Sequence, residues 1–312
     1  MKQGPVDLRI SSLLYHLKTI YLFTRSDLKT VVLPQAFFAT SSLLTNGFRN
    51  IDDLPSFPAY NLLQRLLHAM IWVYASLLLS NLANQRLPGS LTEDAFNKPW
   101  RPISSGRISP NQARHAMLYL VPSVMLLGAV SDAFRETTSF IAFLWMYNDL
   151  EGANMSIWWR NLLNGLGLMT LSAGATAVTN GRVDYSLASG TAFHWLVITG
   201  LVVCTTIHAQ DLPDIVGDRA TGRETIPIIY GDTVARVSLV ISVMFWSFAV
   251  PAFWGFGWAG YMPTVGLGLA MNFFSFWRQN LQGDEVAWKL WCCWYAIIYL
   301  LPCSRVIFGV IY

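Results

Sequence analysis

Nine stretches of the chain are almost continuously apolar, and polar residues collect between them. These stretches lie near residues 30–46, 62–80, 116–131, 138–148, 162–180, 191–209, 234–256, 259–277 and 288–311. A helix needs about 20 apolar residues to cross the hydrocarbon core of a bilayer, and several stretches approach or exceed that length. The pattern therefore predicts an all-α integral membrane protein with nine transmembrane helices.

Composition agrees with a membrane protein and excludes several other classes. Only 12% of the 312 residues are charged, against about 25% in typical soluble domains. The 13 Trp residues suit bilayer interfaces or a ligand site. The net charge of +3 is too small to indicate nucleic-acid binding. The four Cys residues all lie in apolar stretches, without metal-binding or disulfide spacing, and no feature indicates an obligate protein partner.

Loop charges predict the orientation of the chain in the membrane. With nine spans and an inside N-terminus, most of the 21 Lys and Arg residues fall on the inside. The positive-inside tendency then predicts a cytosolic N-terminus, and we expect the endoplasmic reticulum as the membrane. Two long polar loops, residues 81–115 and 209–233, lie on this same side after the second and sixth spans. We expect residues 1–312 to form one transmembrane domain with a distant internal duplication.

The second polar loop contains three acids in helical register. Asp211, Asp214 and Asp218 are spaced i, i+3 and i+7, so they share one face if the preceding helix extends through them. Three such carboxylates repel one another unless a cation neutralises them, and an oxygen-only set suits Mg²⁺. Arg219 and Arg223 would then meet phosphate oxygens. The alternative is a solvated loop in which these side chains form ordinary surface pairs.

The first polar loop contains a second set of polar side chains. Its members are Asn84, Gln85, Glu93, Asp94, Lys98 and Arg101. Because both loops lie on one side of the membrane, we expect them to form two halves of one site for Mg²⁺ and a diphosphate. The surrounding apolar bundle implies that the rest of the substrate is a hydrocarbon, as in an isoprenyl diphosphate. Metal and basic side chains would stabilise the departing diphosphate and leave an allylic carbocation.

Three segments resemble the UbiA superfamily of intramembrane prenyltransferases. They are "TRSDLKTVVLPQ" (residues 24–35), "NKPWRPISSGRIS" (97–109) and "DLPDIVGDRATGRETIPIIYG" (211–231), and the resemblance covers nearly the whole chain. It implies a nine-helix bundle whose central cavity is capped by the two polar loops, with Mg²⁺ and a prenyl diphosphate bound there. It also implies that Asp94, Asp211, Asp214 and Asp218 are catalytic. The implied diphosphate-binding residues are Arg25, Lys98, Arg101, Arg219 and Arg223.

The first motif departs from the pattern of the family. The family usually has an Asn followed by two Asp residues four apart, the second of them three residues before "NKP". Asp94 occupies this second Asp position, but Ser90 and Arg86 stand at the other two, and the nearest Asn is Asn84. We therefore expect Asn84, Glu93 and Asp94 as metal ligands from the first loop.

This departure bears on the type of reaction. Ordinary family members join a prenyl chain to an aromatic acceptor, whereas a fungal branch cyclises farnesyl diphosphate. The altered first motif favours the branch, so we expect a Mg²⁺-dependent class I sesquiterpene cyclase. The alternatives are a prenyltransferase with an aromatic acceptor and, in a different class, a transporter of an anionic amphiphile.

A cyclase needs a contoured aromatic pocket, because aromatic faces stabilise carbocations by about 0.5–2 kcal/mol each. The aromatic candidates are Phe37, Phe38, Tyr74, Tyr147, Trp158, Trp159 and Phe193. Asn161 and Asn164 are one turn apart and can face either the cavity or a neighbouring helix. His208 lies one turn before Asp211 and can accept the proton that ends the reaction; the released diphosphate is an alternative base.

Overall fold

The structure, a computed structural model, describes residues 5–45, 48, 59–181 and 190–307. Within these residues the chain is helical and contains no strand. The α-helices in chain order are α1 (Pro5–Thr24), α2 (Leu33–Leu44), α3 (Ala59–Gln85), α4 (Pro88–Asn97), α5 (Pro110–Val130), α6 (Phe134–Asn148), α7 (Gly152–Met155), α8 (Ile157–Asn180), α9 (Thr191–Thr206), α10 (Asp211–Ala220), α11 (Ile226–Ile229), α12 (Asp232–Phe253), α13 (Trp258–Trp277) and α14 (Leu281–Ile307).

The helices confirm an all-α integral membrane fold. Among the described residues, six helices are long and apolar enough to cross a membrane. They lie at Tyr60–Gln85, Pro110–Val130, Ile157–Asn180, Thr191–Ala220, Asp232–Phe253 and Leu281–Ser304. Each of the nine apolar stretches overlaps a helix, although residues 46 and 308–311 lie outside the described part. The number of nine spans therefore stays a prediction.

Packing separates a dense interior from an apolar outer surface. The largest buried cluster joins α2, α9, α12, α13 and α14, with Phe38, Trp195 and Trp291 among its fully buried rings. Other large apolar side chains point outwards, such as Leu126 on α5 and Phe245 on α12. An apolar exterior of this extent suits contact with lipid tails, which are as apolar as the side chains themselves.

Both segments predicted as polar loops contain helices, which corrects the sequence-based prediction. Residues 81–115 include the end of α3, all of α4 and the start of α5. Pro88 is compatible with the start of α4, because the first helical position needs no backbone N–H donor. Residues 209–233 include α10 and α11, and a short 3₁₀ turn, Ile207–Gln210, connects α9 directly to α10. The sixth predicted span thus extends as a helix through its acids.

Helices α4 and α10 pack against each other, and this contact joins the two polar segments. The Asn97 side chain at the end of α4 donates to the Asp214 carbonyl oxygen at 3.1 Å and accepts from the Gly217 N–H at 3.2 Å. A Cβ atom at position 217 would lie 2.3 Å from Asn97 Nδ2. A side chain at this position would therefore displace the Asn97 amide that links the two helices.

Candidate active site

Helix α10 presents its three acids to three different basic side chains. Asp211 and Asp218 are buried, and Asp214 is half-buried. The Asp214 carboxylate receives the Lys98 ammonium at 3.0 Å. The other two pairs are Asp211 with Arg160 at 2.6 Å and Asp218 with Arg223 at 3.0 Å. The helix therefore brings the predicted acids together, each already paired with a cation.

Helix α4 contributes the other two acids and is linked to α10 by an arginine. The Arg223 guanidinium contacts Glu93 at 2.6 Å as well as Asp218. Asp94 receives Arg101 at 2.8 Å. Burial raises the pKa of the Asp94 carboxyl to about 6, against the opposing charges of Arg101 and Lys98. Together these side chains form what we call the acid–base cluster: Glu93, Asp94, Lys98, Arg101, Arg160, Asp211, Asp214, Asp218 and Arg223.

A cavity of about 240 Å³ lies beside the acid–base cluster. The predicted site residues that line it are Asn84, Glu93, Lys98, Arg101, Tyr147, Asn164, Asp214 and Arg223. Its apolar lining includes Val31, Leu77, Phe140, Phe143, Leu144, Leu163, Leu168, Leu171, Ile207 and Trp288. One cavity thus has charged groups and hydrocarbon side chains in its wall, as an amphiphilic ligand requires.

The donor set fits Mg²⁺ in kind, although its carboxylates are not gathered round one point. The second carboxylate oxygens, Oδ2, of Asp211 and Asp218 are buried and have no hydrogen-bond partner. Free carboxylate oxygens are the ligands that this hard cation prefers. Among the described residues, however, no three His, Cys, Asp or Glu side chains are grouped closely enough to hold one ion. Ion binding would therefore draw on these free oxygens while the basic partners shift towards phosphate.

Several predicted cavity aromatics lie elsewhere, which corrects the sequence-based assignment. Phe38 is fully buried against Tyr299, with ring centroids 4.9 Å apart, and Phe37 packs on the same cluster. Trp158 is 74% exposed on the outer surface, and Trp159 is exposed as well. None of these four rings lines the cavity. Local spacing could not identify them, because helices that are apolar on all sides show no distinct inner face.

Tyr74 and Phe193 are also absent from the cavity wall. The Tyr74 hydroxyl lies 3.1 Å from the Thr24 hydroxyl, between α3 and α1. Phe193 lies half-buried in the first turn of α9. Of the predicted aromatic liners, Tyr147 alone is among the cavity-lining residues that the structure describes.

The acids Asp94, Asp211 and Asp218 belong to the acid–base cluster but are not among the residues that line the cavity. Four predicted polar residues outside the cluster also lie away from the cavity. Arg219 is exposed on α10, and the Arg25 guanidinium lies over the Trp100 ring, 4.7 Å from its centroid. Asn161 is buried, and its side-chain oxygen has no hydrogen-bond partner. His208 is buried, with Nε2 3.3 Å from the Ser238 hydroxyl. Their predicted contacts with diphosphate or cation are therefore not supported by this geometry.

Sequence reasoning missed several residues of the cavity wall. Asp27, Asn148, Arg160, Gln210 and Trp288 all line it. Arg160 had a usable signal, since a charge at the edge of an apolar span is usually functional. Asp27 lies within the quoted "TRSDLKT" segment, 4.0 Å from Arg101. Trp288 had none, because it lies in an apolar stretch rich in other aromatics.

Comparison with known proteins identifies the family of this chain. The model of the UbiA prenyltransferase family matches residues 56–296. The fumagillin beta-trans-bergamotene synthase of Aspergillus fumigatus is 31% identical over 242 residues, which cover 76% of this chain and 75% of that protein. The somaliensene A/B synthase of Streptomyces somaliensis is 28% identical over 288 residues, 89% of each chain.

A solved structure shows the same fold. The UbiA homolog from Archaeoglobus fulgidus bound to GPP and Mg²⁺ superposes with a TM-score of 0.63 at 13% identity, covering 91% of this chain and 99% of that chain. Together with the extent of the family match, this likeness leads to one conclusion. The chain belongs to the UbiA prenyltransferase family.

Proposed function

We propose that this protein is a Mg²⁺-dependent membrane-bound terpene cyclase. It ionises farnesyl diphosphate, cyclises the resulting carbocation to a sesquiterpene and releases diphosphate. The observation that carries the proposal is the meeting of α4 and α10, whose acids and bases border one cavity with an aromatic and aliphatic wall. A diphosphate fits the charged part of this wall and a prenyl chain fits the rest.

The basic side chains explain how the diphosphate is held. Lys98, Arg101, Arg160 and Arg223 all line the cavity, so each can donate charge-assisted hydrogen bonds to phosphate oxygens. Asp211 and Asp218, with Asp214 and Asp94 beside them, would hold Mg²⁺ through free carboxylate oxygens. When bound, this ion neutralises charge that develops on the departing diphosphate.

The apolar wall supports cyclisation within the cavity. Leu163, Leu168 and Leu171 follow one another along α8 and line it together with Phe140 and Phe143 of α6. Side chains of this kind exclude water, which would otherwise capture the carbocation as an alcohol. The cavity of about 240 Å³ lies just below the common range of roughly 300–1,000 Å³ for small-molecule sites.

Two relatives with high coverage bear the names of terpene synthases, which supports cyclisation for this chain. Transfer of the prenyl group to an aromatic acceptor is the second candidate, since one relative is named as a polyprenyl transferase. The amide side chains of Asn81, Asn84 and Asn148 line the cavity and could bind a polar acceptor. We further propose a single domain over residues 1–312 in the endoplasmic reticulum membrane, with the acid–base cluster on the cytosolic side.

One assay separates these functions. Membranes that contain the protein are incubated with farnesyl diphosphate and Mg²⁺ without an acceptor, and the organic extract and free diphosphate are measured. A cyclic hydrocarbon, absent when the metal is chelated, is the expected result. Turnover that begins only when an aromatic acceptor is added would instead establish transfer. Binding of the substrate without any diphosphate release would point to transport.

A further inference from the structure

Helix α14 carries four aromatic rings stacked along one face, which we call the α14 aromatic stack: Trp288, Trp291, Tyr295 and Tyr299. Their spacing of three, four and four residues places them above one another on the helix. Successive ring centroids are 4.9, 5.0 and 4.4 Å apart. The first two pairs are nearly parallel, with interplanar angles of 15° and 16°.

One end of this stack is buried and anchored. Trp291, Tyr295 and Tyr299 have no exposed surface. The Trp291 N–H donates to the Thr206 hydroxyl at 3.0 Å, and the Tyr299 hydroxyl accepts from Ser172 at 3.1 Å. Close packing around these rings leaves them little freedom to change rotamer. The stack is therefore a rigid support inside the bundle.

The other end of the stack reaches the cavity. Trp288 is half-buried and lines the cavity, whereas the next ring, Trp291, does not. Since Trp291 stacks on one face of the Trp288 indole, a ligand in the cavity can contact only the opposite face or the ring edge. The stack thus holds one large aromatic face at the cavity wall.

An aromatic face at the cavity wall can stabilise a carbocation that the nearby carboxylates do not neutralise. The carboxylates of the acid–base cluster are paired with Lys98, Arg101, Arg160 and Arg223. The hydrocarbon part of the wall consists of neutral side chains. In this part of the wall, a positive charge can therefore be stabilised only by the faces of aromatic rings. An indole has the strongest such attraction among the natural side chains. Phe140, Phe143 and Tyr147 of α6 supply smaller rings to the same cavity.

We infer that Trp288 is a further catalytic residue of the proposed cyclisation, its indole face stabilising the carbocation while the buried rings of the α14 aromatic stack hold that face in place. The inference rests on the proposed function. The carbon–oxygen bond of the substrate breaks with both electrons leaving on diphosphate. Ring closure then moves the positive charge along the chain, and loss of a proton to the released diphosphate forms the final double bond. No bond forms to Trp288.

The test compares Trp288→Leu, Trp288→Phe and the control Trp158→Leu, which changes a tryptophan on the outer surface. Each variant is assayed with farnesyl diphosphate and Mg²⁺ for free diphosphate and for the ratio of cyclic to acyclic products. We expect Trp288→Leu to lower this ratio about tenfold, as loss of a desolvated cation–π contact implies, while diphosphate release falls much less. Trp288→Phe should recover part of the ratio, and Trp158→Leu should match the wild type.

A binding measurement keeps the inference testable if Trp288→Leu turns over too slowly to assay. The probes are a farnesyl analogue with an ammonium centre in its chain and its uncharged carbon counterpart, each added with Mg²⁺ and inorganic diphosphate. We expect Trp288→Leu to weaken binding of the cationic analogue about tenfold and to change binding of the neutral one little. If the Trp288→Leu variant does not fold, Trp288→Phe should show a smaller loss of binding that is again selective for the cationic analogue.

The results distinguish failure of this inference from failure of the proposed function. A wild type that makes no cyclic product overturns both. A wild type that cyclises, with an unchanged product ratio and unchanged cationic-analogue binding in Trp288→Leu, overturns the inference alone. An equal loss of cationic and neutral analogue binding would make Trp288 a packing residue, which also overturns it.

Discussion

Helices α10 and α4 each line the cavity with one acid, Asp214 and Glu93, and hold further acids beside it, yet the acids of the two helices are paired differently. On α10, Asp211 and Asp218 each engage one arginine through Oδ1 and keep Oδ2 buried without a partner. On α4, Asp94 and Glu93 lie in ion pairs with Arg101 and Arg223. The buried carboxylate oxygens without a hydrogen-bond partner are thus on α10, where the motif is intact. We infer from this difference that α10 is suited to hold a metal, whereas α4 chiefly holds the basic side chains in position.

The largest effect is expected when the α10 acids are neutralised. Asp211→Asn and Asp218→Asn each remove a carboxylate that we propose binds Mg²⁺, while keeping the shape of the side chain. We expect a fall in turnover on the order of 10³-fold, as loss of several kcal/mol of transition-state stabilisation implies. The measurement is diphosphate release with farnesyl diphosphate and Mg²⁺. Glu285→Gln, at an exposed acid of α14, is the matched control and should keep wild-type activity. Retained activity in both α10 variants would refute their role in metal binding.

The second prediction concerns stability at the base of α10. Arg160→Met leaves the buried Asp211 carboxylate without its basic partner, which we expect to cost about 3–5 kcal/mol. Thermal unfolding in detergent measures this loss. The control is Arg86→Met, which breaks a more exposed pair with Asp149 and should cost about 1 kcal/mol or less. Adding Asp211→Asn to Arg160→Met should recover most of the loss, and equal melting of both single variants would contradict the prediction.

The third prediction tests the contact that joins the two helices. Gly217→Ala places a methyl group against the Asn97 amide, so this side chain must move and its hydrogen bonds to α10 are lost. Overpacking of this kind lowers the free energy of unfolding by about 1–3 kcal/mol. Because it also displaces groups of the site, we expect a roughly tenfold fall in turnover, which corresponds to about 1.4 kcal/mol of activation free energy. Gly89→Ala on α4 is the matched control, because no atom lies within 4 Å of its added Cβ. If Gly217→Ala matched this control in activity, close approach of the helices would not matter for the site.

The smallest expected effect is a pH dependence of stability that Asp94 of α4 contributes. Because burial raises the pKa of Asp94 to about 6, the folded protein binds this proton more tightly than the unfolded chain. Its contribution to the free energy of unfolding is therefore fully present below about pH 4 and is lost as the pH rises through about 6. Unfolding of wild type and Asp94→Asn, compared over this range without metal, should differ in slope. Parallel curves would show that Asp94 titrates as an exposed acid.

Much of the fold and part of the site could be predicted from sequence. The apolar stretches predicted the helices, and the spacing of Asp211, Asp214 and Asp218 predicted their common helix. The two polar segments were expected to form one site, and Arg223 does connect Glu93 of α4 to Asp218 of α10. These features are local or depend on the side of the membrane, so they follow from the order of residues along the chain.

The aromatic wall could not be predicted in the same way. Phe38 and Trp158 are aromatic residues that we expected to line the cavity, but Phe38 lies in the interior and Trp158 on the outer surface. Trp288 and Phe140 line the cavity without any distinguishing neighbour in the sequence. A helix that is apolar on every side gives no local signal of which face meets lipid, another helix or a cavity.

The order of residues was enough to predict a helical membrane protein with acids in register and two polar segments on one side. The pairing of each base with its acid became visible only in the tertiary structure. The same holds for the contact of Asn97 with Gly217 between the helices and for the α14 aromatic stack, which ends at the cavity. The physical reason is that periodicity specifies helices one at a time. Pairings and cavity walls arise where side chains from helices distant in sequence pack together, and hydrophobicity has no direction that would specify their partners.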